Sequence, residues 1–224
     1  MGGELSEGLA RFVEGVSRAD REHALRVLWA CESVDVDGVP RFATAFPEDA
    51  LLLTDDGFVI VRSTGGIPKR SVVTCDAGPG RILLAPAPEE VLVGLGKSRV
   101  TVIDGGARAA LVQSPALAER LVEQLARALG EKQDATANFA PTHHVDRVRR
   151  KLLQLADSYG HVVRDGVRID FPISHSLLAE MVGSSRETVT RAVDALQRTG
   201  FVDRRGSTYR LLLSPNAVAA ELER

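Results

Sequence analysis

The sequence predicts an α+β chain of two domains: an N-terminal antiparallel β-roll with flanking helices, then a long helix, then a small C-terminal domain of short helices and hairpins. Three observations carry this expectation. Between residues 33 and 103, short apolar runs recur with a spacing of about ten residues and are separated by turn formers. From residue 114 leucines recur at every fourth position. Near the C-terminus, two short amphipathic stretches meet at Gly183 and lead into a basic hairpin pattern. A chain of 224 residues with 44% apolar and 26% charged residues can bury two cores of its own.

In order, residues 5–32 are helix-like, with Leu9, Phe12, Val13 and Val16 on one stripe and Leu25, Leu28 and Trp29 on another, broken near residues 17–20. Seven strand-like runs come next, at 42–46, 50–54, 58–62, 71–75, 82–85, 91–94 and 100–103. Asp55-Asp56-Gly57, between two of them, is a tight-hairpin signal. The cluster Gly94-Leu95-Gly96-Lys97 has two readings, an anion cradle made of backbone amides or a plain strand turn.

Ser114-Pro115 opens a helix that should run to about Ala137, because proline fits the first helical position. Leu117, Leu121, Leu125 and Leu129 form a ridge that can face the chain's own core. An adjoining register through Val122, Leu125, Ala128 and Leu129 can face a second copy. Ala140-Pro141 breaks the helix and is the expected hinge. Residues 142–157 make another helix, whose Val145, Val148, Leu152, Leu153, Leu155 and Ala156 should cover the back of the helical pair at residues 173–196. Adjacent His143 and His144 point about 100° apart on a helix, so they read as its polar start rather than a metal pair. Residues 161–164 and 167–171 make a hairpin around Asp165-Gly166.

Residues 173–196 read as two short helices. In the first, Leu177, Leu178, Met181 and Val182 share a face behind a Ser174 cap; Ala179 is small where a second helix must cross, and Gly183 can take the left-handed conformation that turns the chain. In the second, capped by Ser184 or Ser185, Val189, Ala192, Val193 and Leu196 form the buried stripe. Arg186, Glu187, Thr188 and Arg191 are left outside it, near the helix start. That arrangement suits a DNA major groove, where arginine can fork onto guanine O6 and N7 and glutamate can accept from cytosine N4. The plainer alternative is an amphipathic helical hairpin with a solvated charged face. Phe201-Val202, the turn Asp203-Arg204-Arg205-Gly206-Ser207 and the strand from Thr208 add a hairpin with a positive tip, a wing that can lie along phosphates.

Charge is distributed unevenly. Residues 1–140 hold 15 Lys and Arg against 20 Asp and Glu, a net of −5, whereas residues 141–224 hold 13 against 10, a net of +3. Cys31 and Cys75 are too few and too far apart for a zinc knuckle or an all-cysteine cluster, and read as reduced structural thiols. His23 is the only histidine before residue 143, too few for a metal enzyme inside the roll, and no nucleophile, P-loop or zinc-protease motif occurs. No catalysis, cofactor or metal is expected. Without an 18-residue apolar run or a basic, apolar leader, the expected location is the cytoplasm, away from membranes.

Ser185-Arg186-Glu187-Thr188-Val189-Thr190-Arg191, preceded by Ile173-Ser174-His175-Ser176 and followed by Leu196 and the wing, resembles the C-terminal domain of the CRP/FNR family of bacterial transcription regulators, over about residues 142–213. The resemblance implies a winged helix-turn-helix in which Arg186, Glu187 and Arg191 read bases. Ser174, His175, Ser185 and Thr188, together with Arg205 and Ser207 of the wing, would hold phosphates. It further implies a homodimer on an inverted repeat with TGTGA-like half-sites, and RNA polymerase as a further partner. The expected domains are a jelly-roll effector domain at 1–113, a dimerisation helix and hinge at 114–140, and the DNA-binding domain at 141–224. Family members that bind cyclic nucleotides carry a Gly-Glu pair followed by Arg-Ser/Thr-Ala. Here the only Gly-Glu steps, Gly3-Glu4 and Gly130-Glu131, lie outside the roll. The resemblance therefore implies a degenerate cyclic-nucleotide-binding-like domain not controlled by cyclic AMP, with either an unknown small-molecule effector, or a lost ligand and DNA binding that is constitutive or controlled by a protein partner. A structural dimer that uses its winged helix for protein contacts is the third possibility.

Overall fold

A computed structural model describes residues 5–63, 71–137 and 143–222. The hinge expected at Ala140-Pro141 lies outside the described residues. The chain divides into two units, Met1–Asp134 and Ala135–Arg224.

The first unit opens with α1 (Glu7–Phe12) and α2 (Arg18–Leu28). Their starts are fixed by Ser6 and Ser17, whose hydroxyls accept from the amides of Leu9 and Asp20. Eight strands come after them: β1 (Glu32–Asp35), β2 (Arg41–Phe42), β3 (Leu51–Asp56), β4 (Val59–Ser63), β5 (Val72–Ala77), β6 (Ile82–Leu84), β7 (Glu90–Gly94) and β8 (Arg99–Ile103). They form two four-stranded antiparallel sheets, ordered β1-β8-β3-β6 and β2-β7-β4-β5. β3 shows how its sequence builds two cores. Leu52 points between the sheets with Val59, Val61, Leu83, Leu92 and Val100, while Leu51 and Leu53 meet Leu9, Phe12, Leu28 and Ile103 beneath the helices. A strand buried on both faces reads as an unbroken apolar run rather than an alternation.

The expected double-sheet roll is present, with three local differences. β1, Glu-Ser-Val-Asp, has no counterpart among the expected runs; it is an edge strand on β8 with three exposed residues and so carries no apolar pattern. The run 42–46 is strand only at its first residue; Ala43–Ala45 form a 3-10 turn, which leaves Phe42 exposed and Phe46 buried. Asp55-Asp56-Gly57 does not close a hairpin, because β3 and β4 belong to different sheets. The Asp55 carboxylate turns inward to accept from Thr101 (2.6 Å). Gly57, at φ +77°, carries the chain across so close to Lys97 that an added Cβ would lie 2.4 Å from its carbonyl oxygen.

Of the two readings of Gly94-Leu95-Gly96-Lys97, the structure has the strand turn: it links β7 to β8, and an added Cβ on Gly94 would lie 1.9 Å from the Val36 carbonyl oxygen. After α3 (Gly105–Leu111), α4 (Pro115–Ala137) starts behind Ser114, and the residues that follow Ala137, where the sequence predicts its end, lie outside the described ones. Leu117 and Leu121 are buried under the roll's helices, and Leu125 packs partly against the same cluster. Ala128, expected on a dimer face, is instead 4% exposed in the core between the sheets, because the helix lies on the roll at that turn. Val122 and Leu129 stay 66% and 51% exposed. Lys132 to Glu90 (2.9 Å) and Glu131 to Arg81 (3.1 Å) fasten the helix to the roll.

The second unit contains α5 (His144–Tyr159), β9 (Gly160–Val163), β10 (Gly166–Ile169), α6 (His175–Met181), α7 (Arg186–Arg198), β11 (Val202–Arg205), β12 (Thr208–Leu211) and α8 (Pro215–Leu222). Its sheet runs β11-β12-β10-β9. Val148, Leu152, Leu153, Leu155 and Ala156 of α5 are buried as their spacing predicts. Val145 differs, being 37% exposed in the first turn. The tail gains a purpose: α8 buries Val218 and pairs Glu221 with Arg149 of α5 (2.7 Å).

Candidate nucleic-acid interface

The second unit positions its polar residues through helix ends. Ser174 caps α6 by accepting from the Leu177 amide (3.1 Å), and Gly183, at φ +61°, turns the chain out of the helix. The Ser184 amide closes the turn on the Ala179 carbonyl (2.9 Å), and Ser185, not Ser184, caps α7 through the Thr188 amide (3.1 Å). Val189, Ala192, Val193 and Leu196 bury one face of α7. Arg186, Glu187 and Arg191 are all exposed on the other. The Glu187 carboxyl is held below its ordinary range by its own backbone amide at the helix start, then by the Ser185 hydroxyl and the Arg186 and Arg191 charges. It is ionised at neutral pH and acts as an acceptor.

Gly206, at φ +62°, makes the tip between β11 and β12. The Ile173 amide donates to the Ser207 carbonyl (2.8 Å), so the wing is tied to the chain just ahead of α6. Arg205 is solvent-exposed, with Asp203 at 3.6 Å, whereas Arg210 is held by Asp203 (2.6 Å) and Asp165 (3.5 Å). Thr188 and Ser207 are half-buried and Ser174 is exposed. The Ser174 oxygen accepts within its cap and can still offer its hydroxyl proton to an anion, whereas the Ser185 hydroxyl already faces the Glu187 carboxylate and Thr188 Oγ1 (2.9 Å).

His175 is half-buried, and its Nδ1 lies 2.8 Å from Thr190 Oγ1, which in turn donates to the Arg186 carbonyl (2.9 Å). Its pKa is lowered by burial, then by the positive charges of Arg204 and Arg186, against an opposite pull from Asp194. Sequence reasoning points to neither Thr190 nor Arg204. Thr190 stands in the motif of residues 185–191 with no role of its own, and its partner lies 15 residues away. Arg204 reads as one of two equivalent wing cations, but strand alternation separates them. Its guanidinium lies over the Tyr209 ring (5.7 Å) while Arg205 faces outward.

His144 makes the polar helix start expected of it, with Nδ1 3.1 Å from Ser184 Oγ. Among the described residues no group of three or more His, Cys, Asp and Glu can hold a metal ion, and no helix is long and apolar enough to cross a membrane. In the first unit, the space enclosed by Val61, Thr74, Cys75, Leu84, Glu90, Ala128 and Lys132 is about 10 Å³, room for roughly one water.

Residues 146–219 match the family model of the Crp-like helix-turn-helix domain. A CRP-like cAMP-activated global transcriptional regulator of Mycobacterium tuberculosis is 30% identical over 101 residues, 45% of this chain and 45% of that protein. A global nitrogen regulator of Synechococcus elongatus is 30% identical over 93 residues, 42% of each. These matches therefore span less than half the length of the curated relatives. Among solved structures, a CooA mutant from Carboxydothermus hydrogenoformans superposes with a TM-score of 0.69 at 16% identity, covering 99% of this chain and 97% of that one. A CRP/FNR-family transcriptional regulator from Thermus thermophilus gives 0.62 at 19% identity, covering 86% and 99%. The c-di-GMP responsive global regulator CLP of Xanthomonas campestris gives 0.63 at 21%, covering 88% and 100%.

Proposed function

We propose that this chain is a CRP/FNR-type transcription regulator that binds DNA as a homodimer, a reading supported by its Crp-like helix-turn-helix at residues 146–219 and by the likeness of its fold to solved CRP/FNR-type structures. The observation that carries the reading is the outer face of α7. Two guanidinium groups and one ionised carboxylate stand exposed on the first turns of a helix whose other face is buried, beside a basic wing anchored to the start of α6. Arg186, Glu187 and Arg191 read base edges; Ser174, His175, Ser185, Thr188, Arg205 and Ser207 hold the flanking phosphates. α4 pairs with its copy through Val122 and Leu129, the apolar positions the roll leaves uncovered, with half-buried Leu125 at the rim. The operator is an inverted repeat with TGTGA-like halves.

Cyclic AMP does not control this chain. Among the described residues, the space where α4 meets the roll holds about one water, and an ion pair between Glu90 and Lys132 already occupies it. Control by a protein partner fits this reading, as does constitutive DNA binding. Selection from a random duplex pool tests the proposal: it should recover a two-fold symmetric sequence with half-sites about one helical turn apart. Recovery of no enriched sequence at moderate salt would instead favour a winged helix used for protein contacts.

A further inference from the structure

We propose that His175 is a phosphate ligand only in its protonated form, oriented by Thr190, so that each subunit takes up a proton when it closes on DNA. The inference rests on the reading of α6, α7 and the wing as the DNA-facing side.

The hydrogen-bond directions lead to it. Thr190 has one hydroxyl proton, and that proton goes to the Arg186 carbonyl (2.9 Å). Toward His175, 2.8 Å away, Thr190 Oγ1 can therefore only accept, so the histidine's Nδ1 carries the ring proton. Nε2 is left with a bare lone pair, shielded from solvent and without a partner. A lone pair cannot hold a phosphate oxygen, which has only lone pairs of its own. To contact a phosphate while Thr190 keeps its bond to the Arg186 carbonyl, Nε2 must gain a proton, and the ring then donates from both nitrogens.

The surroundings decide when that happens. The charged groups that face the ring from other elements are Arg204 of β11 and Arg186 and Asp194 of α7. Two cations against one anion, together with burial, keep the proton off in free protein at neutral pH. A phosphate seated against Nε2, once the groups that cover this atom in the free protein move aside, supplies both the missing acceptor and the missing negative charge. The proton comes from bulk solvent, and no bond other than N–H is formed.

Two measurements test this on the full chain with a duplex recovered by selection. Anisotropy titrations at fixed ionic strength, between about pH 5.5 and 8.5 where histidine titrates, should show affinity falling as pH rises, by up to about tenfold per pH unit for each participating His175. His175→Gln, which offers a donor that does not titrate, should flatten the profile. Thr190→Val, which removes the acceptor for Nδ1–H, should move the profile to lower pH. Calorimetry of the unmutated protein in buffers of different ionisation enthalpy should register proton uptake on binding. Sequence-selective binding that is flat across this range with no proton uptake, or a slope that survives His175→Gln, would overturn the inference and leave the DNA-binding reading standing. Absence of selective binding at every pH would remove both.

Discussion

Glu90 provides a quantitative test of how α4 is held on the roll. Its side chain is 5% exposed and accepts from the Ala87 amide (3.0 Å), the Thr74 hydroxyl (2.9 Å) and the Lys132 ammonium (2.9 Å). Burial alone would push its carboxyl up, but the Ala87, Lys132 and Thr74 interactions together outweigh burial and leave the pKa below its ordinary value of 4.5. Glu90→Ala takes an acceptor from a buried hydroxyl and from the Ala87 amide, and removes the carboxylate beside the Lys132 ammonium. Breaking a buried pair costs about 3 to 5 kcal/mol; Lys132 is 33% exposed and can rehydrate, so the low end, about 3 kcal/mol, applies. Glu90→Gln has one acceptor oxygen where Glu90 uses two: set on the Ala87 amide, it leaves an NH2 facing Thr74, whose hydroxyl must then donate to the Val61 carbonyl (3.4 Å), and the charge is lost, for about 1 to 2 kcal/mol. The assay is urea unfolding followed by fluorescence of Trp29, the chain's single tryptophan, which lies in the roll unit and so reports that unit. A folded-state pKa below the unfolded one means that the contribution is present above 4.5 and is lost as pH falls through the folded value. The gap between unmutated protein and Glu90→Gln should therefore be full at neutral pH and close in acid. A Glu90→Ala loss under about 0.5 kcal/mol, the size of an ordinary surface change, would refute this account of the helix anchor.

Three further outcomes rest on the same geometry. Arg205→Ala, at the exposed wing, should weaken all duplexes to a similar degree and lower the salt slope by about two, one for each subunit of the dimer, measured by titration at several salt concentrations. Val122→Asp, on the 66% exposed face of α4, should leave the secondary structure seen by circular dichroism unchanged but place an unpaired charge in the dimer seam, for about 3 kcal/mol or ~100-fold weaker association; light scattering of a dimer at unchanged affinity would exclude that face. Cyclic AMP should not raise the melting temperature, since a ligand that binds the folded protein must do so.

The second unit is the more legible in sequence because its instructions are local. Ser174, Gly183 and Ser185 act within four residues of themselves, so cap, turn and cap can be read in line. The buried stripe of α7 likewise comes from helical period alone. In the roll, β3 and β8 are legible as apolar runs, but their partners are not, since pairing joins residues such as Leu52 and Val102 that are far apart in the chain. The Asp-Asp-Gly turn misleads for that reason: local chemistry specifies a bend, and only the sheets decide whether the bend joins neighbours. Ala128 shows the limit for helix faces. Its register is compatible with a partner helix, and the roll, invisible to a periodicity, covers it. At the interface the exposed readers are legible, whereas the His175–Thr190–Arg186 chain is not, because it links α6 to α7 through side chains of ordinary surface type.

The central claim is that the exposed start of α7 reads base edges, and Arg186→Ala tests it most directly. Affinity should be measured in parallel, at one salt concentration, on the selected inverted repeat and on a random duplex of equal length. The account predicts a loss of about 1 to 3 kcal/mol, roughly 5- to 150-fold, on the inverted repeat and a much smaller loss on random DNA. Equal losses on the two duplexes would contradict it.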